Sequence, residues 1–235
     1  MIDMQYIVFD CMETLIDIDN FNKSEDYAFH AYHCSGVEIY WNGFSDFYQS
    51  YSVVKDAIAK ELAENKEDDF LTRFRLLCKS NCNINESDVN KIANQLFENF
   101  WKKYSDSCYV RNDVKETLAF LGKTYKLGIV SNFKVEGGIE KLLEDNGIGH
   151  HFDFVITSIS VGWRKPDRSI YESMLKETNS APHEHLFIGD DYENDFKQPR
   201  RIGMRALLLD RENKYPHVED RIMTLSDLQN RLPLG

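Results

Sequence analysis

Nowhere in its 235 residues does this chain hold an apolar run near the roughly 18 residues that a membrane span needs. Its start, Met1-Ile2-Asp3-Met4-Gln5-Tyr6, lacks a basic segment followed by an apolar stretch. No secretory signal is read there, and the expected location is cytoplasmic. Positive charge is in deficit: 28 Lys and Arg stand against 39 Asp and Glu, a formal net charge of −11. That balance opposes general attraction to phosphate backbones and anionic lipid surfaces, so neither nucleic acid nor membrane is an expected partner. A local basic pocket for one small anion is compatible with it. Cysteine is sparse and odd in number. Cys11, Cys34, Cys78, Cys82 and Cys108 are irregularly spaced, and although Cys78 and Cys82 can fall one helical turn apart, no second pair completes a zinc site. Reduced, mostly buried thiols are expected. Internal repeats and low-complexity linkers are missing too. What is present excludes wholesale disorder: 42% hydrophobic and 13% aromatic residues supply ample core. The length suits one domain with a large insertion, or two small domains.

Five short apolar runs recur: Tyr6–Phe9, Leu127–Val130, Phe154–Ile156, Leu186–Ile188 and Ala206–Leu209. Each is continuous and rich in β-formers, as strands buried on both faces should be. From the second run onward, helical segments separate them. Ile139, Leu142 and Leu143 form a stripe that stops near Gly147, and Pro166-Asp167 opens a helix carrying Ile170, Met174 and Leu175. Such alternation predicts a parallel sheet with helices on both faces. The first two runs are the exception, with more than a hundred residues between them. Phe47, Tyr51, Val54, Ile58 and Leu62 mark one helix and Phe70, Phe74 and Leu77 a second. A third runs through Val89, Ile92, Leu96 and Phe100 after Ser87, read as its N-cap. The fold expected is α/β, a Rossmann-like parallel core (1–16 and 106–235) with an inserted helical domain (17–105).

In open parallel sheets, ligands bind outside the carboxyl ends of the strands. After the first run comes Asp10-Cys11-Met12-Glu13-Thr14, and after the second Ser131-Asn132. Gly162-Trp163-Arg164-Lys165-Pro166-Asp167 follows the third at a distance, and Gly189-Asp190-Asp191-Tyr192-Glu193-Asn194-Asp195 follows the fourth. A carboxylate, a hydroxyl, an ammonium and an acidic cluster would thus converge at one edge. That set suits phosphoryl chemistry: a carboxylate attacks, a hydroxyl and an ammonium hold anionic oxygens, and a divalent cation held by acids neutralises charge. Taken singly, each has a plainer reading. Asp10 alone is a turn residue, Ser131 and Asn132 are helix caps, Lys165 is a solvated lysine and the acidic run a solvated turn. His183, His185, His150 and His151 are assigned to surface loops.

Four such motifs in order are far more specific than any one of them. In that order the chain resembles the haloacid dehalogenase-like hydrolase superfamily, in its helical-cap (C1-type) subfamily. The resemblance implies a hydrolase of a small phosphorylated or similarly activated metabolite. Asp10 would be the nucleophile and Thr14 would hold its loop. Ser131 and Asn132 would bind the transferring group, and Lys165 would stabilise its charge and orient Asp10. Mg²⁺ would be held by Asp10, the main-chain carbonyl of Met12, Asp190 and, directly or through water, Asp191. Asp195 would support the site or its lysine. The inserted helical domain would be the cap that excludes water and contacts substrate.

One departure stands out. Phosphatases of this family carry a second aspartate two residues after the nucleophile, as general acid and base; here that position is Met12. General acid–base help is commonly worth about 10²–10⁴-fold in rate. Glu13, where glycine is usual, is the nearest carboxylate in sequence. Three alternatives follow: a phosphate- or metabolite-binding protein without turnover, a dehalogenase, or a phosphonate-cleaving enzyme. Dehalogenases need an arginine early in the cap, and this chain has none before Arg73. Phosphonate cleavage needs a cap lysine, for which Lys55 and Lys60 are the candidates. A smaller departure is Gln198-Pro199, where relatives have a small pair; proline there predicts a helix that starts late.

Overall fold

The computed structural model describes residues 4–21 and 23–232. Among the described residues eight strands are formed: β1 (Tyr6–Phe9), β2 (Asp17–Ile18), β3 (Cys108–Tyr109), β4 (Lys126–Ser131), β5 (Phe154–Thr157), β6 (His185–Gly189), β7 (Arg205–Leu209) and β8 (Arg221–Ile222). The helices are α1 (Ser24–Tyr32), α2 (Phe44–Glu61), α3 (Phe70–Ser80), α4 (Val89–Ser107), α5 (Asn112–Leu121), α6 (Gly138–Asp145), α7 (Ser158–Val161), α8 (Arg168–Thr178), α9 (Gln198–Ile202) and α10 (Leu228–Arg231). They divide into two compact units. One joins the chain up to Asp17 with everything from Tyr109 onward; the other runs from Ile18 to Cys108.

The first unit is built on a six-stranded sheet in the order β5-β4-β1-β6-β7-β8, every neighbouring pair parallel. Its α/β architecture is the one the alternating pattern predicts. β1 sits between β4 and β6, with Phe9 opposite both Ile129 and Ile188. Both faces are dry. Tyr6, Val8, Val130 and Phe187 join Ile170, Tyr171 and Met174 of α8 in one cluster. Ile7 and Phe9, on the alternate side, are fully buried as well. Gly128 is required by packing, because a Cβ there would lie 2.0 Å from the Phe154 ring. The two-residue strand β8 is too short for any periodicity to reveal.

Asp167 caps α8, its carboxylate accepting from Ser169 N at 2.8 Å. Pro199 falls in the first turn of α9, where a missing N–H removes no intrahelical bond, and a wide π-turn over Tyr192–Lys197 precedes it. His185 opens β6 and is fully buried, so its assignment to a surface loop is corrected. Its ring is satisfied by Thr178, Ser180 and the Ala181 carbonyl.

The second unit is helical and its core is largely aromatic. Phe100 stacks on Phe70 at 4.4 Å and meets Phe21 and Tyr104, while Phe47 packs on Tyr32 and Trp41. Arg73 is buried among them, paired with Asp68 at 2.6 Å and donating to the Tyr51 hydroxyl at 3.0 Å. Three local expectations are corrected here. Ser87 lies inside a 3₁₀ turn, Glu86–Asp88, and Asp88 takes the N-cap position of α4. The α3 helix ends at Ser80, before Cys82. Cys11 and Cys78 are buried, but Cys34 and Cys82 are exposed and Cys108 is partly so; the thiols are therefore not mostly buried.

Candidate active site

The carboxyl edge of the sheet gathers side chains from four loops of the first unit. Asp10 is the residue after β1, and its N–H donates to the Ile188 carbonyl at 2.9 Å, carrying the sheet ladder one step beyond the strand. Ser131 ends β4 and donates from Oγ to Asp10 Oδ1 at 3.1 Å. Lys165 reaches the same Oδ1 at 2.7 Å and Asp195 Oδ1 at 2.7 Å. Both bonds to Asp10 fall on Oδ1; Oδ2 accepts none among the described residues. The lysine side chain is 2% exposed, so its charge is supported by these carboxylates rather than by water. Burial works against that charge, and the two carboxylates outweigh it, raising the pKa above the ordinary lysine range.

Lys165 is held from behind. The Asn132 amide accepts from Lys165 N at 2.7 Å and donates to the Lys165 carbonyl at 3.0 Å. Asn132 is thus engaged with the lysine's main chain, where the sequence suggests a substrate ligand. On the other flank, Tyr171 donates its hydroxyl to the Asn194 carbonyl.

Asp190 follows β6. Thr14 Oγ1 donates to its Oδ1 at 3.3 Å. The residue is open to solvent, yet protein crowds its carboxyl and the Asp10 charge stands nearby, and together these raise its pKa to about 6. One carboxylate oxygen each from Asp10, Asp190 and Asp195 lie within 4.8 Å of one another. Hard oxygen donors grouped in this way fit a divalent cation of the Mg²⁺ type. The structure puts Asp195 in this cluster where the sequence reading puts Asp191. Asp191 instead caps the π-turn, accepting from Glu193 N and Asn194 N, while its own N–H donates to Asp195 Oδ2. Burial pushes the Asp195 carboxyl up, against the pull of the Lys165 ammonium. Gly189 permits this packing: a Cβ there would lie 2.3 Å from Asp195 Oδ2.

Met12 is half-buried in the loop after Asp10, in an isolated bridge with Ile16. Glu13 is exposed, with φ of 60°, the left-handed region in which glycine is unstrained. Its carboxyl pKa is raised by burial first and by Asp17 next, with Arg211 and Arg111 pulling the other way; Asp10 has the smallest influence. Its electrostatic surroundings are therefore those of Asp17 more than of the nucleophile position. Arg211, unmarked by any sequence motif, donates to the carbonyls of Glu13 and Thr14.

The fold is that of a known class. Residues 43–209 match the model of the haloacid dehalogenase-like hydrolase family, and the chain belongs to that family. It is 37% identical over 122 residues to haloacid dehalogenase-like hydrolase domain-containing protein 3 of Bos taurus, covering 52% of this chain and 47% of that protein. It is 33% identical over 101 residues to a glyceraldehyde 3-phosphate phosphatase of Methanothermobacter thermautotrophicus, 43% of this chain and 44% of that one. These alignments span about half the length of the curated relatives. In fold, it is similar to a 2-haloacid dehalogenase from Pseudomonas syringae, with TM-score 0.74, 16% identity and 97% of each chain covered. No helix among the described residues is long and apolar enough to cross a membrane.

Proposed function

We propose that this hydrolase is a Mg²⁺-dependent phosphohydrolase acting on a small phosphorylated metabolite through a covalent intermediate on Asp10. One observation carries the reading: Asp10 Oδ1 is fixed by Ser131 and Lys165 at 3.1 and 2.7 Å, beside the Asp190 and Asp195 carboxylates. Fixing one oxygen leaves Oδ2 to attack phosphorus. The Asp10–phosphorus bond forms as the ester oxygen departs, and water then cleaves the aspartyl phosphate, restoring the carboxylate and releasing inorganic phosphate. Ser131 and Lys165 are placed to donate to the phosphoryl oxygens as charge builds. Asp10, Asp190 and the Met12 carbonyl would hold the Mg²⁺, with Asp191 contributing at most through water; the ion supplies charge neutralisation for the approach of an anion to an anion. Residues 18–108 serve as the cap that carries substrate specificity. The relationship to a phosphatase supports the choice of phosphate esters over halides.

Met12 favours a second reading, a phosphate-binding protein of the same design without turnover, because a thioether neither gives nor takes a proton. Release of inorganic phosphate from a panel of phosphate monoesters with Mg²⁺, comparing wild type with Asp10→Asn, separates the two. Turnover that vanishes in the variant supports the hydrolase; binding with no turnover supports the alternative.

A further inference from the structure

The loop after Asp10 is held by a residue nearly two hundred positions away. Arg211 stands two residues beyond β7. Its Nη1 donates to the Glu13 carbonyl at 2.5 Å and to Asp17 Oδ1 at 3.1 Å, and its Nη2 donates to the Thr14 carbonyl at 2.9 Å. Glu13 needs such support. Its left-handed conformation, with φ of 60°, is disfavoured for a residue with a Cβ, and conformations of this kind persist only where their surroundings over-determine them. Here Glu13 N also donates to the Ile16 carbonyl at 2.8 Å, so both ends of the residue are fixed. Thr14 then extends the contact, since its Oγ1 donates to Asp190. A continuous path therefore runs from Arg211 through Thr14 to one of the three clustered carboxylates.

The anchor of Arg211 is itself rigid. Asp210, 4% exposed, accepts from Lys214 N at 2.7 Å, Tyr215 N at 2.9 Å and Arg221 Nη1 at 3.2 Å, fixing the turn that presents Arg211. Asp17, the counter-charge, also faces the half-exposed Arg111, 2.5 Å from its other oxygen, a pairing that does not reach the loop carbonyls. A planar guanidinium can serve two carbonyls and a carboxylate together in one orientation, whereas an ammonium has the charge without the fork.

We infer that Arg211 is a positioning residue for the proposed reaction: its fork sets the Glu13–Thr14 main chain and, through Thr14, the Asp190 carboxylate that Mg²⁺ requires. This rests on the roles proposed above for Asp10 and Asp190. Three variants of the full chain test it, Arg211→Lys, Arg211→Met and Arg111→Met, each checked for folding by circular dichroism. Mg²⁺ affinity is measured calorimetrically without substrate, and kcat and KM with p-nitrophenyl phosphate. Loss of a group that orients metal ligands commonly costs about 10–100-fold in affinity, so both Arg211 variants should bind Mg²⁺ about tenfold more weakly. They should also lose about tenfold or more in kcat with a smaller change in KM. Arg111→Met removes the half-exposed partner of the buried Asp17, which keeps its bond from Arg211, without touching the loop carbonyls, and should leave both quantities within about twofold.

A folded Arg211→Lys with wild-type Mg²⁺ affinity and kcat overturns the inference. So does an Arg111→Met that reproduces the losses, because the charge on Asp17 and not the fork would then be responsible. A wild-type protein that binds Mg²⁺ but hydrolyses no ester refutes the proposed reaction instead, and the affinity comparison still decides the role of Arg211.

Discussion

Lys165 Nζ lies 2.7 Å from Asp10 Oδ1 with both side chains almost withdrawn from water, at 2% and 11% exposure. A buried ion pair of this kind is costly to break, because the surviving charge keeps its desolvation penalty. Lys165→Met strands two carboxylates, Asp10 and Asp195. It should lower stability by about 3 kcal/mol, at the lower end of the range for such losses. Urea unfolding at pH 7 measures this, and turnover should vanish with it. Unchanged stability would mean that the lysine is not the charge that Asp10 and Asp195 share.

Gly189 gives a steric version of the same test. In Gly189→Ala the new methyl collides with the Asp195 carboxylate. Overpacking of a filled site costs about 1–3 kcal/mol, and the displaced Asp195 should loosen its hold on Lys165. The expected outcome is a lower urea midpoint together with reduced kcat. Wild-type kcat would show that the Asp195–Lys165 contact does not position the nucleophile.

Met12→Asp addresses the missing proton donor. If proton transfer limits the natural protein, a carboxyl two residues after Asp10 should raise phosphate release by about a hundredfold, the modest end of what general acid–base catalysis delivers. Steady-state rates on one ester suffice. No gain would direct attention to a substrate group or to a different reaction.

His185 predicts a pH dependence remote from the chemistry. Burial lowers its pKa from the ordinary 6.5, opposed by the Ala181 and Pro182 carbonyls and by Glu184, and aided by His183. The unfolded chain takes up a proton near pH 6.5, whereas the native state resists. The stability due to the neutral ring is therefore complete above about pH 7 and is lost as pH falls through 6.5 toward the lower native value. The slope from this one group is at most about 1.4 kcal/mol per pH unit. Urea midpoints between pH 7.5 and 5 should fall more steeply for wild type than for His185→Gln. Parallel curves would contradict the assignment.

Much of this design is visible in the linear sequence, for physical reasons. Strands buried on both faces are continuous apolar runs, so the five long strands stand out, and polar residues directly after them mark the carboxyl edge. Asp10, Ser131 and Asp190 each follow a strand by one residue or end it. What escapes is set by geometry that no spacing encodes. Asp191 adjoins Asp190 in sequence, but the π-turn over Tyr192–Lys197 uses Asp191 as its cap and turns Asp195 inward. Asn132 looks like a ligand because it follows Ser131, and its amide is engaged by a main chain 33 residues away. Arg211 acts on carbonyls, which have no sequence signature. His185 reads as a loop residue because the strand it opens begins one residue before the apolar run.

The most direct test of the central claim is chemical trapping at Asp10. The protein with Mg²⁺ and a phosphate ester is quenched with borohydride, which reduces an aspartyl phosphate to homoserine as phosphate leaves, and position 10 is read by peptide mass spectrometry. Homoserine is expected at residue 10, dependent on the ester and absent when Ser131 and Lys165 are both replaced by alanine. Aspartate intact at position 10 during measurable phosphate release would contradict it, and would require attack by another group or directly by water.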